Sequence, residues 1–167
     1  MVYFKKVKGK YKNKNCIYYT VHYILNPVKN PHNVFHAYGN TPEDIKRIAD
    51  SFYKVQNAYD KTTCKRIIHC ILAFSPDEKR SPGEYLEYGY RFMGFFEKGT
   101  QYVFALHEKD EHGKRKWPHI HILINPIHPK TGTRLYIGKA TLHSLHEYIK
   151  KTLQTDLVLD NFPENHV

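Results

Sequence analysis

The sequence predicts an α+β fold in a single domain spanning residues 1–167, a central antiparallel sheet with helices packed on one or both faces. Three observations carry that expectation. Tyr102–Asn125 holds two short apolar runs of alternating pattern, joined by a charged connection that contains Gly113, which is how two strands of a hairpin read. Two helix starts, at Thr41 and Ser81, stand ahead of segments too long for strands. Lys65–Phe74 (KRIIHCILAF) is a third, strongly apolar strand, so strands and long helices share one chain.

Residues 3–7 form a short first strand. From Lys8 to Asn15, the lysines Lys8, Lys10, Lys12 and Lys14 are separated by Gly9, Tyr11 and Asn13, which reads either as a solvated loop or as a phosphate-contacting arm. The run that follows places Ile17, Val21, Ile24 and Leu25 at helical spacing, with Asn15 as its cap and Asn26-Pro27 as its stop. Residues 26–40 are loop-like. Thr41, Pro42, Glu43 and Asp44 start a helix that runs to about Tyr59, with proline at the first position and acids in the first turn. In the apolar strand, Ile67, His69, Ile71 and Ala73 share one face. Ser81 with Glu84 has capping-box spacing, and the helix behind it reaches Lys98, with Gly99 ending it. After the hairpin comes a turn-rich segment with a short strand at 134–137, a basic amphipathic helix over Thr141–Leu153, and a loose tail from Asn161. No repeat or composition break divides the chain.

A formal charge of +10 points to a polyanionic partner, and no long apolar run provides a membrane segment. Cys16, Cys64 and Cys70 are odd in number and lack paired spacing, so they read as reduced thiols of a cytoplasmic protein. Oligomeric state is not written in the sequence.

The chemistry gathers in the hairpin. Side chains alternate along a strand, so His119 and His121 point the same way, and antiparallel pairing brings His107 up beside them. Two imidazoles on one face are hard to bury without a shared task, because each has two ring nitrogens to satisfy. Three converging imidazoles make a site for a divalent metal with open positions, which is catalytic more often than structural. Glu108 and Asp110 follow as a further ligand or a support for one, while Glu111 reads as a solvated rim. A lone His69 on an apolar strand reads as a satisfied core histidine.

These residues also carry a resemblance to a family. A tyrosine in Tyr23-Ile24-Leu25-Asn26-Pro27-Val28-Lys29, then His69 to Phe74, then His107, then Pro118-His119-Ile120-His121 with Asn125, stand in the order of the motifs of HUH endonucleases. Within that superfamily the pattern resembles the relaxases (mobilisation nucleases), most closely the MOB-P class, from about residue 15 to residue 155. Two departures stand out. The acid expected two residues after the first histidine falls on Lys109, so Glu108 or Asp110 takes that role, and Ala73 stands where serine is usual, with Ser75 beyond Phe74.

The resemblance implies an HUH palm whose three histidines hold Mg or Mn in the cell, and Zn or Ni in a crystal, against a scissile phosphate. It also implies tyrosine attack at an origin of transfer, leaving a 5′-phosphotyrosine link. Tyr23 is the first candidate nucleophile, with Tyr19 and Tyr18 next and His22 after them. Implied partners are single-stranded or origin DNA and accessory relaxosome proteins. Lys29 joins Lys10, Lys12, Lys14, Lys114, Arg115 and Lys116 as candidate backbone contacts, and Tyr11 and Trp117 as base-stacking rings. Relaxases commonly carry further partner-binding or helicase segments, so the chain reads as a compact form or as the nuclease part of a longer one. A replication initiator or single-strand transposase would use the same chemistry. A metal-dependent hydrolase acting by activated water, or a nucleic-acid-binding module with a structural metal, would keep the histidines and dispense with the tyrosine.

Overall fold

Described residues of the computed structural model are 1–9, 11–32, 35–37, 45–159 and 162–167. Among these residues six strands build one open sheet: β1 (Val2–Lys6), β2 (Phe35–Ala37), β3 (Ile68–Phe74), β4 (Tyr102–Lys109), β5 (Arg115–Ile124) and β6 (Leu157–Val158). Their spatial order is β2-β4-β5-β3-β1-β6, antiparallel throughout except that β6 runs parallel to β1. The described helices α1 (Cys16–Ile24), α2 (Ile45–Ala58), α3 (Pro82–Met93) and α4 (Lys139–Leu153) cover it. The α+β expectation holds, with helices on both faces and a mixed rather than wholly antiparallel sheet.

Alternation along the strands sorts the core into two. Ile68, Cys70, Leu72 and Phe74 of β3 pack with Phe104, Leu106, Ile120, Ile122 and Ile124 against α3 and α4. The opposite residues, Val103, Ala105 and Leu123, pack with Ile17, Val21 and Ile24 of α1 and Ile48, Ala49 and Phe52 of α2. β3 is buried on both faces, which is why it reads as a continuous apolar run rather than an alternating one. α3 begins on the anticipated capping box, in which Ser81 Oγ accepts from Glu84 N–H and the Glu84 carboxylate accepts from Ser81 N–H. It then drops close to the sheet at Gly89, where a Cβ would lie 2.6 Å from the Phe104 ring.

Several boundaries differ from expectation. α3 stops at Met93, and the aromatic Phe95 and Phe96 that prolong its apolar pattern sit in a turn closed by Phe95 N–H to Phe92 O and Phe96 N–H to Met93 O. β2 and β6 are too short to show a period, and both are held at sheet edges by a neighbour. The expected 134–137 strand reduces to one bridge, Ile127 to Arg134. Asn15 makes no side-chain cap; Asn13 Oδ1 accepts the Asn15 N–H instead. The tail is tied down from 162 onward, through Lys5 to Glu164 and Trp117 N–H to His166 O. The helix start at 41–44 lies outside the described residues, as does Lys10.

The hairpin is tighter than its charged sequence suggests. Both strands run into the charged stretch, past a bulge between His107 and Lys109, until Lys109 pairs with Arg115. Asp110 closes the turn, its Oδ1 accepting from His112 N–H and Lys114 N–H, and Gly113 takes a φ of +78° there.

Candidate metal centre and tyrosine

Register alone brings the histidines together. His107 stands directly opposite His119, and His121 opposite Ala105 on one side and Ile71 on the other. Ala105 and Ala73, the latter opposite His119, are small enough to leave the imidazoles room on a close-packed face. Ring centroids are 4.5 Å apart for His107–His121, 5.0 Å for His119–His121 and 5.4 Å for His107–His119. One nitrogen from each lies within 4.8 Å of the others.

The remaining nitrogens are already engaged. His107 Nε2–H donates to the Ile24 carbonyl at 2.8 Å, and His119 Nδ1–H donates to the Trp117 carbonyl at 2.7 Å. A carbonyl only accepts, so each bond fixes a tautomer and leaves a lone pair on the other ring nitrogen. His121 Nδ1 lies 2.8 Å from His69 Nε2, while His121 Nε2 is buried and has no hydrogen-bond partner among the described residues. An orphaned buried nitrogen beside two oriented lone pairs fits a divalent cation with three neutral donors. Burial holds the His107 pKa down at about 4 and the His119 pKa at about 3, and pushes His121 well below its ordinary value. All three are therefore neutral near pH 7, the protonation state that ligation needs.

Tyr23, on the last turn of α1, lies edge-on to the cluster, with centroids 5.6 Å from His107 and 5.4 Å from His121. Tyr19 is 63% exposed and its ring meets Tyr18, which also contacts His22; among the described residues neither Tyr18 nor Tyr19 has a ring contact with the cluster. Burial, and then the Glu111 carboxylate, raise the Tyr23 pKa, so the phenol is protonated in the metal-free protein. Lys29, read from sequence as a backbone contact, borders the histidine cleft at 6% exposure, its Nζ 3.9 Å from the Tyr23 ring centroid. Tyr23, Lys29, His107, His119, Asp110 and Glu111 border a cleft of about 210 Å³.

The acids divide. Glu108 alternates away from His107 and lines a separate cleft of about 630 Å³ with Arg80, Tyr85, Arg115 and Trp117. Asp110 borders the histidine cleft, but its carboxylate is held by turn N–H groups, chiefly Lys114, which lower its pKa. Glu111, set aside from sequence as a rim residue, is the carboxylate whose charge reaches Tyr23, and a charge run in a hairpin gives no signal of that. Asn125 ties β5 to α2 and to the residue before β4, through Gln56 and Gln101, with no bond to the histidines. Trp117 is half-buried, stacked on His166 at 5.1 Å, and Tyr11 hydrogen-bonds His69 at 2.7 Å. Lys12, Lys14, Lys114 and Arg115 are exposed and Lys116 partly so.

A sheet that presents three converging imidazoles beside a phenol could hold a divalent metal, and the chain's sequence narrows the class of protein. Residues 23–155 match the relaxase family described as MobA/VirD2-like, nuclease domain. The chain belongs to that family, a class of DNA-acting nucleases. A solved structure described as the molecular basis of vancomycin resistance transfer in Staphylococcus aureus is similar in fold, with a TM-score of 0.54 at 14% identity over 97% of this chain and 100% of that one. No curated protein sequence matches the chain. Among the described residues no helix is long and apolar enough to cross a membrane.

Proposed function

We propose that this relaxase domain nicks one strand of DNA at an origin of transfer, by attack of Tyr23 on the scissile phosphate. The carrying observation is the convergence of the three histidine nitrogens within 4.8 Å, with the Tyr23 ring 5.4 Å from His121. A divalent cation, Mg or Mn in the cell, held by His107, His119 and His121, would supply positive charge to polarise the phosphate and favour the phenolate. Tyr23 gives up its proton to solvent, its Oη bonds to phosphorus as the P–O3′ bond breaks, and the departing O3′ takes up a proton, leaving a free 3′ hydroxyl and a 5′-phosphotyrosine. The phosphodiester energy is kept in that link, so a 3′ hydroxyl can reverse the step. Lys29 over the ring adds a second positive charge that favours the phenolate and the phosphate together.

Lys12, Lys14, Lys114, Arg115 and Lys116 would follow the DNA backbone, and the motif order supports the MOB-P-like, HUH-type reading. The neighbouring fold's connection with resistance transfer favours mobilisation over replication or transposition. The reaction would run in the cytoplasm with accessory relaxosome proteins presenting the origin.

The test is a suicide oligonucleotide carrying the cognate nick site, incubated with protein and Mn or Mg, with the adduct mapped by mass spectrometry. An adduct on Tyr23, lost in Tyr23→Phe while DNA binding persists, is the expected result. An adduct on Tyr18 or Tyr19, or cleavage that survives Tyr23→Phe, removes the proposed nucleophile.

A further inference from the structure

His69 takes no part in the proposed reaction, yet it is 5% exposed and sits on the strand beside His121. Its Nε2 lies 2.8 Å from His121 Nδ1, and its Nδ1 lies 2.7 Å from Tyr11 Oη. Tyr11 is held from several sides. Its carbonyl accepts from Arg66 N–H at 2.9 Å, Lys65 Nζ stands 5.1 Å from its ring centroid, and its φ is +37°. A bulky residue holds a left-handed backbone only where its surroundings over-determine it. Gly9 is part of those surroundings, because a Cβ there would lie 2.4 Å from the Tyr11 ring.

The two hydrogen bonds can run in only two directions, since each neutral imidazole carries one N–H. In the first, Tyr11 donates to His69 Nδ1, His69 Nε2–H donates to His121 Nδ1, and the His121 proton sits on Nε2. In the second, His121 Nδ1–H donates to His69 Nε2, His69 Nδ1–H donates to Tyr11 Oη, and His121 Nε2 offers a lone pair. Only the second completes a set of three donors. His107 and His119 have their tautomers set by carbonyls, whereas His121 meets another imidazole whose own tautomer must be set.

We infer that Tyr11 and His69 are positioning residues for the cation site, forming a relay that makes His121 Nε2 its third donor. The inference rests on reading His107, His119 and His121 as that site. It also ties the site to the lysine-bearing segment, because Tyr11 lies beside Lys12 and two residues from Gly9. A change in how that segment sits changes the acceptor at the far end of the relay.

The test titrates Mn(II) alone into the protein, reading free aquo-Mn by electron paramagnetic resonance, with metal-free thermal melts alongside. His69→Leu removes the acceptor and is expected to weaken Mn binding by about 10–100-fold, the usual effect of losing a partner of a ligating histidine. His69→Gln has a carbonyl for His121 and an amide for Tyr11, so it restores most of the affinity. Tyr11→Phe acts one hydrogen bond further from the cation and weakens binding by about 3–10-fold, less than the loss of a direct partner of a ligating histidine. A role in packing alone would lower the metal-free melts and leave Mn affinity unchanged in all three, which overturns the inference. Should His69→Leu fail to fold, Tyr11→Phe decides, and unchanged affinity there overturns it equally. A wild type that binds no Mn sinks the cation site itself, and that outcome is separable from the others.

Discussion

The two faces of the same three strands follow different rules. Toward α3 and α4, β3, β4 and β5 present an uninterrupted apolar surface, from Ile68 and Phe74 across Phe104 and Leu106 to Ile120, Ile122 and Ile124. Toward α1 and α2 the surface is apolar at one end, through Val103, Ala105 and Leu123, and then gives way to four imidazoles. Ile120 and Ile122 flank His121 in sequence yet belong to the other face, so the contrast is drawn by strand period alone. It teaches that a buried polar cluster is tolerated where its nitrogens have oriented partners and where the reverse face anchors the strands independently.

The sharpest way to break that comparison is to damage the anchoring face. Phe104→Ala is expected to cost about 3–5 kcal/mol by cavity formation. Chemical denaturation should show the same loss with and without Mn, since the cavity opens away from the histidines. Gly89→Ala attacks the same face from the other direction. Its Cβ would fall 2.6 Å from the fully buried Phe104 ring, so overpacking of about 1–3 kcal/mol is expected. A loss of Mn affinity in either variant, at temperatures where it remains folded, would mean that the two faces are not independent.

How much of this was legible in sequence follows from the same strand period. His119 and His121 show their shared face because alternation is written in the residues themselves, and β3 and the β4–β5 hairpin are long enough to display it. β2 has three residues and β6 two, so pairing rather than pattern makes them strands. Phe95 and Phe96 read as continued helix because an apolar turn and an apolar helical face look alike over so few residues. The contact of His69 with His121 depends on β3–β5 register, which no single strand records. Lys29 was visible as a charge near Tyr23 in sequence, but its burial over that ring depends on how the loop after α1 folds back onto β4, where Glu108 N–H donates to the Lys29 carbonyl.

Acid sharpens the contrast further. The folded-state pKa of His107 is about 4 and that of His119 about 3, against 6.5 for an unburied imidazole. With the folded value depressed, the unfolded chain binds protons first as pH falls. The metal-free protein is therefore at full stability above about pH 6.5 and loses it progressively as pH drops toward 3–4. At pH 5 the expected loss is about 1–2 kcal/mol for each such histidine, most of it before ordinary carboxylates protonate. Urea midpoints at about pH 7.5 and about pH 5 check this. His119→Leu should flatten the difference, and an equally steep loss in that variant would place the acid sensitivity elsewhere.

The smallest expected effect asks which face meets DNA. Lys12 is exposed on the segment whose Tyr11 reaches His69, whereas Lys150 is exposed on α4, across the sheet, beside Asp156 at 3.6 Å. If the strand to be cut runs over the histidine face, Lys12→Ala removes one phosphate contact. The slope of log K against log salt for single-stranded DNA should then shrink by about 0.7, with affinity falling uniformly across sequences. Lys150→Ala should leave the slope unchanged, because its charge lies across the sheet from the histidines. Fluorescence anisotropy over a salt series measures both. Equal changes in the two variants would mean that the basic charge acts as a diffuse field around the domain, and that the site alone, rather than a track of lysines leading to it, selects where the strand lies.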